Sequence, residues 1–292
     1  MRRLREALRF TKPKGLPLEV SKQAYLAVLA ARHPLPTLLE VVAPKGEGGA
    51  VAGFGVPVSQ GAAQPDRSLE RGEYGIASPE RKSVLRLRVL SKEEAGFVPS
   101  PSTIAQINGQ FGEEVARRVA AAWSLLQLTW ESYDPDVYAA LDFWLALAHR
   151  LAELTDGVVS DPVAQSYRLP ADRCGRPPGA IVWAAEHVRI HVSGSNVHTM
   201  GLRKFVRPEL EATSVPAGGA SAVGPLLMGV AQACLEGTRL SPGDTLQAGN
   251  GTVRIAEGGL DRGYWQGQVV LEVLPDKPAD WPQFVSAWRT GD

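Results

Sequence analysis

The most regular alternation of polar and apolar positions in the chain is "SVLRLRVLS", residues 83–91. Leu85, Leu87 and Val89 share one side and Arg86 and Arg88 the other, which is the period-two signature of a half-buried strand. "SLLQLTWES" reads as a second strand, leading into Tyr133. Between the two, "STIAQINGQFGEEVARRVAAAW" has helical spacing in its second half, at Val115, Val119 and Ala122. The fullest helical pattern is "DPDVYAALDFWLALAHRLAELTDG". Val137, Leu141, Trp144, Leu145, Ala148, Leu151 and Leu154 make a broad apolar face there. Asp134 is placed as its N-cap, Pro135 at the first helical position and Gly157 as the C′ residue. "VVSDP" then predicts a strand ending at Asp161–Pro162.

Nearer the N-terminus, "VSKQAYLAVLAARHP" reads as a helix with Ser21 as N-cap and Pro34 just past its end. "TLLEVVAP" reads as the strand after it. Residues 45–82 are rich in glycine, proline and alanine, and "AVAGFGVPV" is a candidate strand with bulges. In the C-terminal half, "AIVWAAEHVRIHVSGS" predicts one or two strands, and "GPLLMGVAQACLEG" a helix closed by Gly237. "LSPGDTLQAGNGTVRIAEG" predicts two short strands about a Gly-Asn-Gly turn, with Asp244 as a turn residue bonding its own backbone. "GQVVLEVLPD" adds a strand, and "ADWPQFVSAWR" a terminal helix capped by Asp280.

Clusters of strands with intervening helices point to an α+β fold. The expected architecture is a mixed or antiparallel sheet with helices packed on one face. Two helix–strand–proline units, "QAYLAVLAARHPLPTLLEVVAP" and "LDFWLALAHRLAELTDGVVSDP", leave open two related α/β half-domains. The expected divisions are a basic segment at 1–14, an N-terminal α+β region at 15–123 and a C-terminal α+β region at 124–292, with one continuous domain as the alternative.

Composition narrows the function classes. The 292 residues carry no net charge, so nothing global recruits nucleic acid. The basic arm holding Arg2, Arg3, Arg5 and Arg9 is the one hint of such a partner. Cys174 and Cys234 fit no metal or disulfide spacing and read as idle or buried thiols. No secretory signal and no membrane-length apolar run is visible, so a cytoplasmic protein without a membrane association is expected. The 45–82 stretch lacks the spacing of a phosphate-binding loop. His149 beside an apolar helix face, and His33 before a proline at an expected helix end, need no function.

Candidate chemistry concentrates in "HVRIHVSGSNVHTMGLRKFVRPELE", which holds three of the five histidines. On a strand, His187, Arg189 and His191 would form one polar row. His187 and His191 would then lie about 13 Å apart with Arg189 between them, too far for one zinc ion, so no metal and no cofactor is expected. Arg189, His191, His198, Thr199 and Arg203 are the candidate ligand- or anion-binding residues, because guanidinium groups suit carboxylates and phosphates.

The same stretch resembles an H-T-x-G-x-x-x-F-x-x-P-E-L segment of uncharacterised bacterial domains of unknown function. The matching residues are His198, Thr199, Gly201, Phe205, Pro208, Glu209 and Leu210, and the resemblance extends over about residues 124–257. It implies an α+β domain and supplies no catalytic residue. It departs at Val206, where glycine is expected. The leading expectation is a non-catalytic protein that binds a protein partner, another copy of itself or a small ligand. Seven tryptophans, Trp265, Trp281 and Trp288 among them, motivate it. The alternative is an enzyme for an anionic substrate, with His198 as base and Arg189 and Arg203 as clamps.

Overall fold

The structure, a computed structural model, describes residues 8–9, 18–43, 55–58, 64–133, 137–172, 174–248, 251–259 and 261–275. The basic arm apart from Leu8 and Arg9, the Asp134–Pro135 cap, the centre of the Gly-Asn-Gly turn and the Asp280 helix lie outside them. The chain divides into two compact units, Lys22–Arg173 and Met1–Ser21 together with Cys174–Asp292. The fold class is α+β.

The first described strand, β1 (Leu8–Arg9), belongs to the discontinuous unit. The Lys22–Arg173 unit contains β2 (Tyr25–Ala30), α1 (Leu38–Val42), β3 (Val56–Pro57), β4 (Gly72–Ala77), β5 (Ser83–Ser91), α2 (Pro101–Phe111), α3 (Glu113–Ala121), β6 (Ser124–Tyr133), α4 (Val137–Leu154), β7 (Val158–Asp161) and β8 (Ser166–Arg168). Its strands form one antiparallel sheet in the order β3-β4-β5-β6-β2-β7-β8. The expected boundary at 123–124 therefore falls inside this sheet. β6, which follows it, pairs with both β2 and β5, and cutting there would open the sheet at its middle.

β5 behaves as its alternation requires. Leu85, Leu87 and Val89 are buried, while Arg86 and Arg88 face Glu73 across the β4 pairing. Helices cover both faces of this sheet, not one as expected. Ala27, Leu29, Leu125 and Val158 pack on Ile107, Val115, Ala116 and Val119 of α2 and α3. On the opposite face, Trp144 of α4 donates its indole N–H to the Leu128 carbonyl at 3.1 Å and packs on Trp130.

Local structure differs from expectation at two places, around β2–α1 and at the end of α4. "QAYLAVLA" is strand β2 and "LLEVV" is helix α1, the reverse of the expected order. β2 lies between β6 and β7 with both faces covered, so its apolar run has no alternation to separate it from a buried helix. α1 is set by a capping box. Glu40 N–H donates to Thr37 Oγ1 at 3.1 Å and Thr37 N–H to Glu40 Oε2 at 2.7 Å. Hence Ser21 precedes a strand and is no helix N-cap, and His33 sits after that strand with its ring edge-on to Trp123. At the end of α4, the left-handed C′ residue is Asp156 (φ 49°), not Gly157. Gly157 N–H instead closes on the Ala152 carbonyl at 2.8 Å. A Cβ there would lie 2.6 Å from the Leu29 carbonyl oxygen, which is why glycine is needed.

The second unit adds to β1 the strands β9 (Arg189–Ser193), β10 (Asn196–Met200) and β11 (Glu209–Ala212), the helix α5 (Ala220–Leu235), then β12 (Thr245–Ala248), β13 (Gly251–Glu257), the one-turn α6 (Arg262–Trp265) and β14 (Val270–Pro275). Its sheet runs β1-β12-β13-β14-β11-β10-β9 and is mixed, since β11 and β14 are parallel. That pairing, absent from the first sheet, separates the two topologies. α5 covers one face, where Gly224 lies against Ile190 of β9, and Gly237 ends it with φ 106°. The expected strands at 245–257 and 270–275 are present, and Asp244 accepts from Ser241 N–H at 2.7 Å. Among the described residues, no helix is long and apolar enough to cross a membrane.

Candidate functional site

Side chains alternate along a strand, so Ile190 and His191 lie on opposite faces of the second sheet. His191 thus belongs to the face away from α5. The register extends that face into a row. His191 pairs with His198, His198 with Glu211 and Glu211 with Glu272. Two imidazoles and two carboxyls therefore stand side by side across four strands.

The imidazoles are stacked, with centroids 5.6 Å apart and planes 16° from parallel. α6 closes over them. Asp261 caps this turn by accepting the Tyr264 N–H at 3.0 Å, which sets the two aromatic residues against His198. Tyr264 and Trp265 each meet the His198 ring edge-on at 5.2 Å. His198 Nε2 and the Tyr264 hydroxyl are hydrogen-bonded at 2.8 Å. Trp265 is buried and donates its indole N–H to Glu211 Oε2 at 2.9 Å. Tyr264 is 47% exposed, so this cluster reaches the surface through its phenol and through half-buried His191.

Electrostatics follow from this packing. Burial pushes His198 down to about 4, and the charge of stacked His191 pushes in the same direction. His198 is therefore a neutral imidazole at ordinary pH. The Tyr264 hydroxyl is raised by burial and then by the Glu209 charge, so it stays protonated.

The expected site residues separate into two groups. His191 and His198 come together, and Arg189 lies on their strand face, half-buried, opposite Met200. Thr199 is fully buried and is a structural residue rather than a ligand contact. Its hydroxyl accepts from Leu210 N–H at 2.8 Å and donates to Glu209 Oε2 at 2.8 Å, filling the gap where β10 and β11 part. Arg203 is exposed, and its backbone N–H goes to Glu209 Oε1 at 3.1 Å. His187 is not part of a strand row. It caps a 3-10 turn (Ala184–Glu186), is buried, and stacks edge-on to Phe205.

Glu209 organises this segment. It accepts from the Thr199 hydroxyl, from Gly201 N–H at 2.8 Å and from Arg203 N–H. Burial raises its pKa despite those bonds. Gly201 sits at φ 129°, and a Cβ there would lie 2.3 Å from the His187 carbonyl oxygen. A 3-10 turn (Leu202–Phe205) follows and ends at Val206 in the left-handed region, φ 53° and ψ 42°. The tight turn that glycine would suit is thus present, formed on valine.

Tyr264, Glu211 and Glu272 are not among the residues expected from the sequence, and Glu209 entered only through the resemblance. The available signal was faint: an Asp two residues before a Gly-Tyr-Trp run. Among the described residues, no three His, Cys, Asp or Glu side chains converge as metal ligands. A cavity of ≈ 380 Å³ in the Lys22–Arg173 unit is lined by His33, Leu35, Leu69, Val89 and Trp123. It is within the size range of small-ligand sites, but its rim charges are already engaged, Arg71 with Glu94 and Glu70 with Arg67. Comparison of the chain with models of known protein families, with curated proteins and with solved structures finds no match.

Proposed function

We propose that this is a non-catalytic binding protein whose recognition surface is the face formed by His191, His198 and Tyr264. The observation that carries this reading is the half-exposed Tyr264, held rigidly by its capped turn and by its bond to His198. A phenol fixed in this way offers apolar area and a hydroxyl at little entropic cost, which is what recognition surfaces use. Arg189 on the same strand face adds a guanidinium for an acidic group of the partner. The occupant is a protein partner, a second copy of the chain or a small ligand with such a group.

Two observations favour binding over the catalytic alternative. A general base works best with a pKa near the operating pH, and His198 is pushed down to about 4. Thr199 is sealed in the interior with both hydrogen-bonding roles taken. We carry the resemblance to uncharacterised bacterial domains as part of this reading. Its Thr199, Gly201, Phe205 and Glu209 are the residues that shape the turn beside the face.

Photo-cross-linking tests the assignment. A benzophenone amino acid at Tyr264 gives a defined adduct with the occupant, while one at exposed Arg86 does not. Adducts at Arg86 and none at Tyr264 would move recognition off this face.

A further inference from the structure

Arg207 lies between the 3-10 turn at Leu202–Phe205 and β11, and it is 8% exposed. Its Nη1 makes one long contact, 3.5 Å to the Val206 carbonyl. Nε and Nη2 are buried and meet no acceptor. These two nitrogens form one edge of the guanidinium, the edge that gives two parallel N–H bonds to a carboxylate or phosphate. A buried lysine, histidine or glutamate can shed its charge by titrating. Arginine cannot, and an uncompensated buried charge is among the costliest features a fold can hold.

The surroundings do not supply the missing charge. Among its described residues the same unit buries three carboxyls, and each is committed to neutral donors. Glu209 takes Thr199, Gly201 and Arg203, Glu211 takes Trp265 and Gly259, and Glu272 takes Thr213. The ionisable neighbour that senses Arg207 is Cys234 of α5. Burial holds its thiol up at about 12, against the pull of the guanidinium, so it is no thiolate counterion.

We propose that the Nε–Nη2 edge of Arg207, beside Cys234, is a binding site for a small oxyanion, either a free phosphate-class ion or a carboxylate. It is distinct from the Tyr264 face and does not depend on the function proposed there.

The test is thermal unfolding of the full chain, wild type and Arg207→Met, in phosphate, sulfate, acetate and chloride at constant ionic strength. The wild type gains roughly 5 °C, saturably, with at least one oxyanion, because a ligand that binds only the folded state raises Tm. The variant does not respond. Phosphate and acetate distinguish a tetrahedral ion from a carboxylate. Equal shifts in both proteins, no shift in the wild type, or a response to chloride alone would each overturn the proposal. Calorimetric titration of wild type and Arg207→Lys with phosphate and acetate covers the case in which the Met variant does not fold. Lysine keeps the charge and loses the fork, so affinity falls roughly tenfold or more, and unchanged affinity would refute the assignment.

Discussion

Protonation of His198 is expected to cost the fold stability in acid, by an amount that the structure sets. The ring is 4% exposed, and its pKa falls from 6.5 to about 4. The unfolded chain takes up this proton more readily than the folded one. His198 therefore contributes stability that is complete above the unfolded value and is lost as pH falls through the folded one. A tenfold difference in proton affinity between the two states corresponds to about 1.4 kcal/mol, so the full contribution is about 3 kcal/mol, of which about 2 kcal/mol has gone by about pH 5. Glu209 acts with the opposite sign. Its raised pKa gives stability present below the usual carboxyl value and lost as pH rises through the folded one. Comparison with His198→Gln removes the Glu209 contribution, which both proteins share. Urea unfolding followed by circular dichroism at about pH 8 and about pH 5 provides the measurement. The wild type loses about 2 kcal/mol more than His198→Gln over this interval. Parallel losses would refute the argument that burial holds His198 neutral.

Two further substitutions probe the backbone that places the site, and a third probes a helix cap of the other unit. Val206→Gly relieves a left-handed β-branched residue that is 56% exposed. Relief of roughly 1–2 kcal/mol, less the entropy glycine adds to the unfolded chain, leaves a net gain of about 0.5–1 kcal/mol in urea unfolding. A loss would mean that the valine side chain packs better than its exposure indicates. Gly201→Ala puts a Cβ 2.3 Å from the His187 carbonyl oxygen. It destabilises by about 3 kcal/mol or more in the same assay, and a near-neutral result would contradict the close approach. In the other unit, Thr37→Ala removes the α1 capping box and costs about 1 kcal/mol, read as a lower urea midpoint.

The parts of the fold legible in the sequence were those with one covered face. β5 alternates because Arg86 and Arg88 face solvent while Leu85 and Leu87 are buried. α4 was readable because its apolar face is broad and its length decides helix over strand. β2 was not, because a central strand covered on both sides shows only an apolar run. The Thr37-x-x-Glu40 box was the local signal that could have reversed that assignment.

The site divides in the same way. The pairing of His191 with His198 follows from a tight hairpin and is nearly local. The contact of His198 with Tyr264 spans 66 residues and depends on α6 docking over the sheet. Glu209, met only as part of a resemblance, is a buried carboxyl whose three donors come from the end of β10 and the turn after it. Sequence alone counts such a residue as surface charge, because glutamate is rarely buried.

Tyr264 and the paired histidines are the recognition surface proposed for this protein. The deciding experiment is native mass spectrometry of the protein isolated at its own cellular abundance, with wild type and Tyr264→Ala compared side by side. A stoichiometric partner, a defined self-assembly or a bound small molecule is expected on the wild type and is lost from the variant, whose circular dichroism spectrum stays that of the folded protein. A wild-type protein that is strictly monomeric and carries nothing, or a variant that keeps its occupant, would contradict the proposal.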